Sequence, residues 1–254
     1  MSDVTPIAAI GIICKTPRPG TSKTRLVPLL GPDGAAELAG SFLSDIADVI
    51  QSLPAAIGCR AYAIYAPEGS EAELRRHLPL SFGLVCRRDA TLGVVLLSAT
   101  EHLLSEGHDV VVLVNADSPT MPADLIARAI SAARAPGDRV VLGPATDGGY
   151  YLIALKNAHQ NLFHDIAWST AAVLQQTVER AREIGLPAEL LAPWYDVDDV
   201  ASLAQLIDEL QDGRLPFAHG DLTGSAANAT RAFLARHPDL PRRLASARAE
   251  KPSP

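Results

Sequence analysis

Short apolar runs alternate along this chain with longer stretches whose apolar residues recur at helical spacing. Ile7 to Cys14 reads as a first strand. From Asp33 to Leu53, the residues Ala36, Leu38, Ala39, Phe42, Leu43, Ile46, Val49 and Ile50 keep a helical period behind the start signal Gly31-Pro32-Asp33. Arg60 to Ala66 alternates as a second strand, Glu71 to His77 reads as a short helix, and Phe82 to Cys86 as a third strand. Leu92 to Leu104 predicts a helix leading through Gly107 into the strand Val110 to Val114, and Leu125 to Ala133 predicts the next helix. Strands from Val140 and from Tyr150 follow, then a helix to about Ile184 capped by Ser169 or Thr170, and a helix over Val200 to Leu210. This alternation predicts an α/β protein, a three-layer α/β/α arrangement around a mostly parallel sheet. Beyond Gly213 the pattern changes to one helix, Ala226 to Arg236, and an irregular end, Pro238 to Pro254. The expected organisation is thus a main domain over 1–212 and a C-terminal helical extension and tail over 213–254.

Composition narrows the partners. With 254 residues, 48% of them apolar, the chain can bury a sizeable core. The net charge of −7 argues against a nucleic-acid or anionic-membrane surface as the main partner. No apolar run reaches the roughly 18 residues of a membrane helix, and Asp3 rather than a basic segment precedes Ile7, so a cytoplasmic protein is expected. Cys14, Cys59 and Cys86 are odd in number and widely spaced, as suits reduced cysteines in strands. Self-association is left open, a homodimer included.

Local chemistry is more specific. The segment from Lys15 through Arg25 carries Lys15, Arg18, Lys23 and Arg25 with Thr16, Thr21, Ser22 and Thr24, and no acid. In an acidic protein such a loop suits phosphate, and Gly20 lets backbone approach a ligand. It matches neither the P-loop nor the dinucleotide fingerprint. The strand Val110 to Val114 ends in Asn115-Ala116-Asp117-Ser118-Pro119. A carboxylate at the carboxyl end of a buried strand projects into the ligand cleft of an open α/β sheet, although Asp117 could equally cap the helix that follows Pro122. Asp147-Gly148-Gly149-Tyr150-Tyr151 reads either as a hairpin turn or as a site where a ring or sugar lies against backbone. Trp168 is core or pocket wall, and His164 is structural or substrate-binding. In Asp196-Val197-Asp198-Asp199, alternation places Asp196 and Asp198 on one side with Asp199 free to cap a helix. Paired carboxylates suit Mg²⁺ or Mn²⁺, while the dipole of the following helix would stabilise the same acids without a metal.

These motifs taken together, Lys15 to Arg25, Asn115 to Pro119, Leu142 to Leu152, Trp168-Ser169-Thr170 and Asp196-Val197-Asp198, resemble the CofC-like family of GT-A glycosyltransferases over about residues 7–210. Some bacterial members of that family are labelled arsenosugar-biosynthesis glycosyltransferases. The resemblance implies a nucleotide-diphospho-sugar transferase fold and a metal-dependent glycosyltransferase that moves a sugar from a nucleoside-diphosphate donor to a small acceptor. It implies Asp117 as first metal ligand, Asp196 or Asp198 as second, Lys23 and Arg25 on the diphosphate, and Asp147 with Gly148, Gly149 and Tyr150 at the sugar or acceptor site. If the reaction inverts the anomeric carbon, Asp147 is the candidate base. The central motif is Asn-Ala-Asp where relatives often carry Gly-x-Asp or Asp-x-Asp, and Arg87 to Val94 lacks the family's Asp-Leu-Gly-x-Arg-Met run. The rival reaction is nucleotidyl transfer from an NTP to a phosphorylated or phosphonylated small molecule. A scaffold retained for binding alone is a third reading.

Overall fold

The computed structural model describes residues 6–88, 91–215, 217 and 220–249; Asp3, Asp89, Ala90 and the tail from 250 onward lie outside the described residues. Its centre is a seven-stranded sheet of β1 (Ala8–Lys15), β2 (Cys59–Ala66), β3 (Gly83–Cys86), β4 (Val111–Asn115), β5 (Val140–Pro144), β6 (Tyr150–Leu155) and β7 (Ala188–Leu190), in the spatial order β3-β2-β1-β4-β6-β5-β7. Every neighbouring pair is parallel except those of β6, which runs antiparallel to β4 and β5. The sheet is therefore mostly parallel, as the alternating pattern predicts.

Side-chain alternation along the strands divides the interior in two. Ile10, Ile12, Cys14, Val112 and Val114 face one layer, with the buried faces of α1 (Val27–Gln51), α4 (Ala123–Arg134) and α6 (Val200–Asp212). Ala9, Ile64, Val111, Leu113, Leu142 and Ile153 face the other, with α3 (Leu92–Ser105) and residues of α5 (Val173–Glu183). Strands covered on both faces can be apolar throughout, which is why Val111 to Val114 carries no polar alternation. The start signal seen at Gly31-Pro32 is a real break. Gly31 adopts φ 73° and ψ 166°, so a short leading turn from Val27 is kinked against the long helix that follows.

Two local expectations change. Ser169 and Thr170 do not cap α5, which starts at Val173 behind Ala172 with no side-chain cap; Thr170 instead accepts the Ala172 amide at 3.3 Å from a preceding turn. The end of the chain is not irregular throughout. After α7 (Asn228–Arg236), α8 (Leu240–Ala249) forms because Leu240 and Leu244 bury themselves in the core and Pro241 falls in the first turn, where a missing amide hydrogen costs little. No helix among the described residues is long and apolar enough to cross a membrane.

A buried carboxylate fastens α7. Asp45 of α1 accepts the amides of Ala229 at 2.7 Å and Thr230 at 2.9 Å, and the Thr230 hydroxyl at 2.5 Å. It thereby satisfies the free donors at the start of α7 in place of a local cap. Burial raises the Asp45 carboxyl's pKa, an effect only partly offset by these donors. Replacing Asp45 with Ala leaves the donors unpaired and is expected to cost about 1–3 kcal/mol, read as a lower urea midpoint at unchanged slope.

Candidate active site

Strand order places the cleft. The chain steps from β1 outward to β2 and β3, then returns to lay β4 on the other side of β1, so loops leaving the carboxyl ends of β1 and β4 diverge to opposite faces. A cleft of about 690 Å³ opens there, bounded by the basic loop after β1, the acidic tips after β4 and β7, and the turn between β5 and β6.

At its centre the Lys23 ammonium lies 2.5 Å from Asp117 Oδ1 and 2.9 Å from Asp198 Oδ1, and donates to the Val197 carbonyl at 2.6 Å. Its side chain is only 6% exposed and passes 5.4 Å from the Phe42 ring centre. Burial alone would lower the ammonium's pKa, but Asp117 and Asp198 outweigh it and raise it. Asp117 and Asp198 remain 40% and 45% exposed, so both still present carboxylate to the cleft. The two acidic segments are joined through backbone as well, since the Val197 amide donates to the Asp117 carbonyl at 2.9 Å. Lys23 is thus ion-paired with two of the expected metal ligands rather than turned outward as a separate phosphate contact.

Asp196 lines the same cleft without a cation of its own. Burial, then the negative charges of Asp147, Asp198 and Asp117, push its pKa up to about 7. Asp147 is exposed and lines the same cleft, its Oδ1 accepting the Gly149 amide at 2.8 Å. Four carboxylates from three separate segments therefore meet at one opening. No compact group of three or more His, Cys, Asp or Glu able to hold a metal occurs among the described residues, and Lys23 lies between Asp117 and Asp198.

The basic loop is split by its folding. Lys15 and Arg25 line the cleft and make no ion pair among the described residues. Thr16 and Arg18 face away. Thr16 is buried with its hydroxyl 2.6 Å from that of Ser70, and Arg18 makes a bidentate pair with Glu73 at 2.7 and 2.8 Å that holds the Glu73 carboxyl below its usual range. Gly20, at φ 76°, forms the tip of the exposed turn and does not reach the cleft.

The turn from Asp147 to Gly149 is a hairpin, as one of its two readings held. Ala145 donates to the Gly149 carbonyl at 3.0 Å, and Gly148 donates to Ala145 at 3.2 Å. Gly148, at φ 94°, is packed so that a Cβ would stand 2.2 Å from the Ala171 carbonyl oxygen; its glycine serves this packing and does not line the cleft. Gly149 and Tyr150 do line it. Trp168 is a cleft wall, set edge to face with Tyr150 at 6.5 Å and lying over Gly93, where a Cβ would fall 2.8 Å from the indole. His164 is outside the cleft, exposed, with Nδ1 2.9 Å from Asp165. Asp117 does not cap α4, whose first turn follows Pro122, whereas Asp199 does cap α6, its side chain accepting the Ser202 amide at 2.9 Å.

Behind the acids is a polar network that sequence reading does not single out. Glu209 of α6, 7% exposed, accepts the Thr120 hydroxyl at 2.8 Å and the Tyr195 hydroxyl, and Trp194 donates to Thr120 at 3.3 Å. Ser225 completes it, its amide donating to Thr120 at 2.8 Å and its hydroxyl to Pro119 at 3.0 Å. The clue available was a glutamate at the edge of the apolar stripe formed by Leu206 and Leu210.

Sheet and cleft together have the fold of the nucleotide-diphospho-sugar transferases and nucleotidyltransferases. A solved structure from Desulfovibrio desulfuricans G20, provisionally described as a nucleotide-diphospho-sugar transferase, matches at a TM-score of 0.79 and 28% identity over 93% of this chain and 97% of that one. The same fold recurs at TM-score 0.51 and 8% identity in a cytidylyltransferase from Leptospira borgpetersenii serovar Hardjo-bovis, over 92% of this chain and 95% of that one. It recurs at TM-score 0.50 and 12% identity in CMP:2-keto-3-deoxy-manno-octonic acid synthetase complexed with CTP, over 78% and 96%. At 8% and 12% identity the last two share the fold alone. A family described as "Uncharacterized protein conserved in bacteria (DUF2064)" matches residues 49–170. No curated protein matches the chain.

Two predictions follow from the electrostatics and the network. In metal-free buffer the folded chain keeps the Asp196 proton up to about 7, whereas the unfolded chain releases it near 3.8, so the folded state loses stability as pH climbs through that window. Asp196→Asn should therefore gain stability over the parent chain increasingly from about pH 4 to 7, in denaturant titrations across pH; a constant difference would contradict the raised pKa. Glu209→Ala should cost about 1–3 kcal/mol by removing the carboxylate that accepts from the buried Thr120 and Tyr195 hydroxyls, read from the same titrations at fixed pH.

Proposed function

We propose that this chain transfers a sugar from a nucleoside-diphosphate donor to a small-molecule acceptor. The observation that carries the reading is the meeting of cations from the loop after β1 with carboxylates from the ends of β4 and β7 in one cleft at the switch in strand order. Lys15 and Arg25 would bind the diphosphate and share the negative charge that grows on it as it leaves. Tyr150, Trp168 and Gly149 would border the sugar or acceptor, and Asp147, which lines the same cleft, would take a proton from an acceptor hydroxyl in an inverting transfer.

The donor set suits a hard divalent cation. Asp117, Asp196 and Asp198 offer carboxylate oxygens with no sulfur or imidazole among them, and the three oxygens around Lys23 already enclose a positive charge. Mg²⁺ or Mn²⁺, when bound, would supply Lewis-acid neutralisation of the leaving diphosphate. Asp117 and either Asp196 or Asp198 would hold it. The cytidylyltransferase neighbours keep a second reading in view, nucleotidyl transfer with release of pyrophosphate, on the strength of shared fold alone.

A thermal-shift panel separates the two. UDP-, GDP- and CDP-sugars are compared with UTP, GTP and CTP, each with and without Mn²⁺, since a ligand that binds only the folded chain raises its melting temperature. The expected outcome is a metal-dependent shift with a nucleotide-sugar that is lost in Asp117→Asn. Preference for an NTP together with pyrophosphate release would replace the glycosyl reading with the nucleotidyl one.

A further inference from the structure

Lys23 occupies the place where the acidic segments could hold a metal. Its ammonium is bounded by Asp117 Oδ1, Asp198 Oδ1 and the Val197 carbonyl, all within 2.9 Å. Two carboxylates and a carbonyl are also a donor set that Mg²⁺ or Mn²⁺ accepts. The two cations cannot share it, because like charges a few ångströms apart in a partly buried site repel strongly. Lys23 is also held in an unusual backbone conformation. It sits in the left-handed region, at φ 45° and ψ 48°, between the turn at Arg18 to Ser22 and the short helical turn Thr24–Leu26. A non-glycine residue stays there only while its surroundings hold it, and the three oxygens provide that hold.

We infer that Lys23 is an exchangeable internal cation: it fills the seat between Asp117 and Asp198 in the ligand-free chain, and a divalent metal binds there only as the ammonium withdraws. Resting on the nucleotide reading above, the diphosphate of an arriving nucleotide gives the withdrawn ammonium its new partner. Nucleotide and metal then each raise the other's affinity through Lys23, in addition to any direct contact between phosphate and metal. A cation stands between Asp117 and Asp198 in both states, and a metal is not retained when no donor is present.

The test needs only the metal. Mn²⁺ is titrated into the purified chain without nucleotide, and free Mn²⁺ is read by electron paramagnetic resonance. Lys23→Met, which empties the seat, is expected to bind Mn²⁺ roughly tenfold tighter or more than the parent chain. Arg25→Met removes the same charge from the cleft without vacating the seat, and its gain should be much smaller. In the unaltered chain, acetylation of Lys23 by an N-hydroxysuccinimide ester, followed by mass spectrometry, should be slow without metal and rise severalfold at saturating Mn²⁺. That measurement stands even if a Lys23 variant fails to fold. Equal affinity in Lys23→Met and the parent, an equal gain in Arg25→Met, Mn²⁺ binding that leaves Lys23 acetylation unchanged, or no Mn²⁺ binding by any variant would each overturn the exchange. Absence of binding to any nucleotide in the thermal-shift panel would instead remove the proposed function and leave the metal-only result standing.

Discussion

The cleft depends on one contact, the Lys23 ammonium against Asp117 and Asp198, whose partners lie as much as 175 positions apart in the chain. Acids gathered from separate loops repel one another, and here that repulsion adds to burial, the larger cause, in pushing the Asp196 pKa up to about 7. A cation among them lets the loops close. Lys23 does this from the first loop of the chain, tying the earliest segment of the fold to one of the latest.

The sheet makes that contact available. β1 and β4 are parallel neighbours, so the basic loop and Asp117 leave the same edge, and the bridge between Ala145 and Trp194 brings the segment carrying Asp196 and Asp198 to the same rim. Glu209 then fixes the far side, holding Thr120 just after Asp117 and Tyr195 just before Asp196. The acidic tips are thus braced from beneath by neutral hydroxyls and joined above by an ammonium. Asp45 and Ser225 extend the bracing to the end of the chain, so α7 and its preceding segment are fastened to the same framework.

Much of this was readable from residue order. Both-face burial leaves an uninterrupted apolar signature, so β1, β4 and β5 announced themselves, and Asp117 stood out because a carboxylate abruptly ended such a run. Asp199 as a cap and Gly31-Pro32 as a helix boundary are local events with local signals. What could not be read was pairing across distance. Arg18 and Lys23 look alike within one basic loop, yet Arg18 meets Glu73 and Lys23 meets Asp198, choices set by how the loop folds rather than by its composition. Glu209 was hidden because a helix edge usually faces water, and α8 because a Pro- and Arg-containing end gives little sign of the two leucines that dock it.

The reversed direction of β6 has a consequence for how such a protein diversifies. Since β6 starts at the rim where β1 and β4 end, the tight turn before it stands at the cleft, closed by its own backbone hydrogen bonds and tied to Leu174 through Gly148 and to Trp194 through Thr146. Side-chain exchanges at the exposed positions Thr146 and Asp147 would leave the register of the parallel strands and the Lys23, Asp117 and Asp198 contacts in place. One side of the opening can thus be reshaped for new molecules while the other side keeps its established grip.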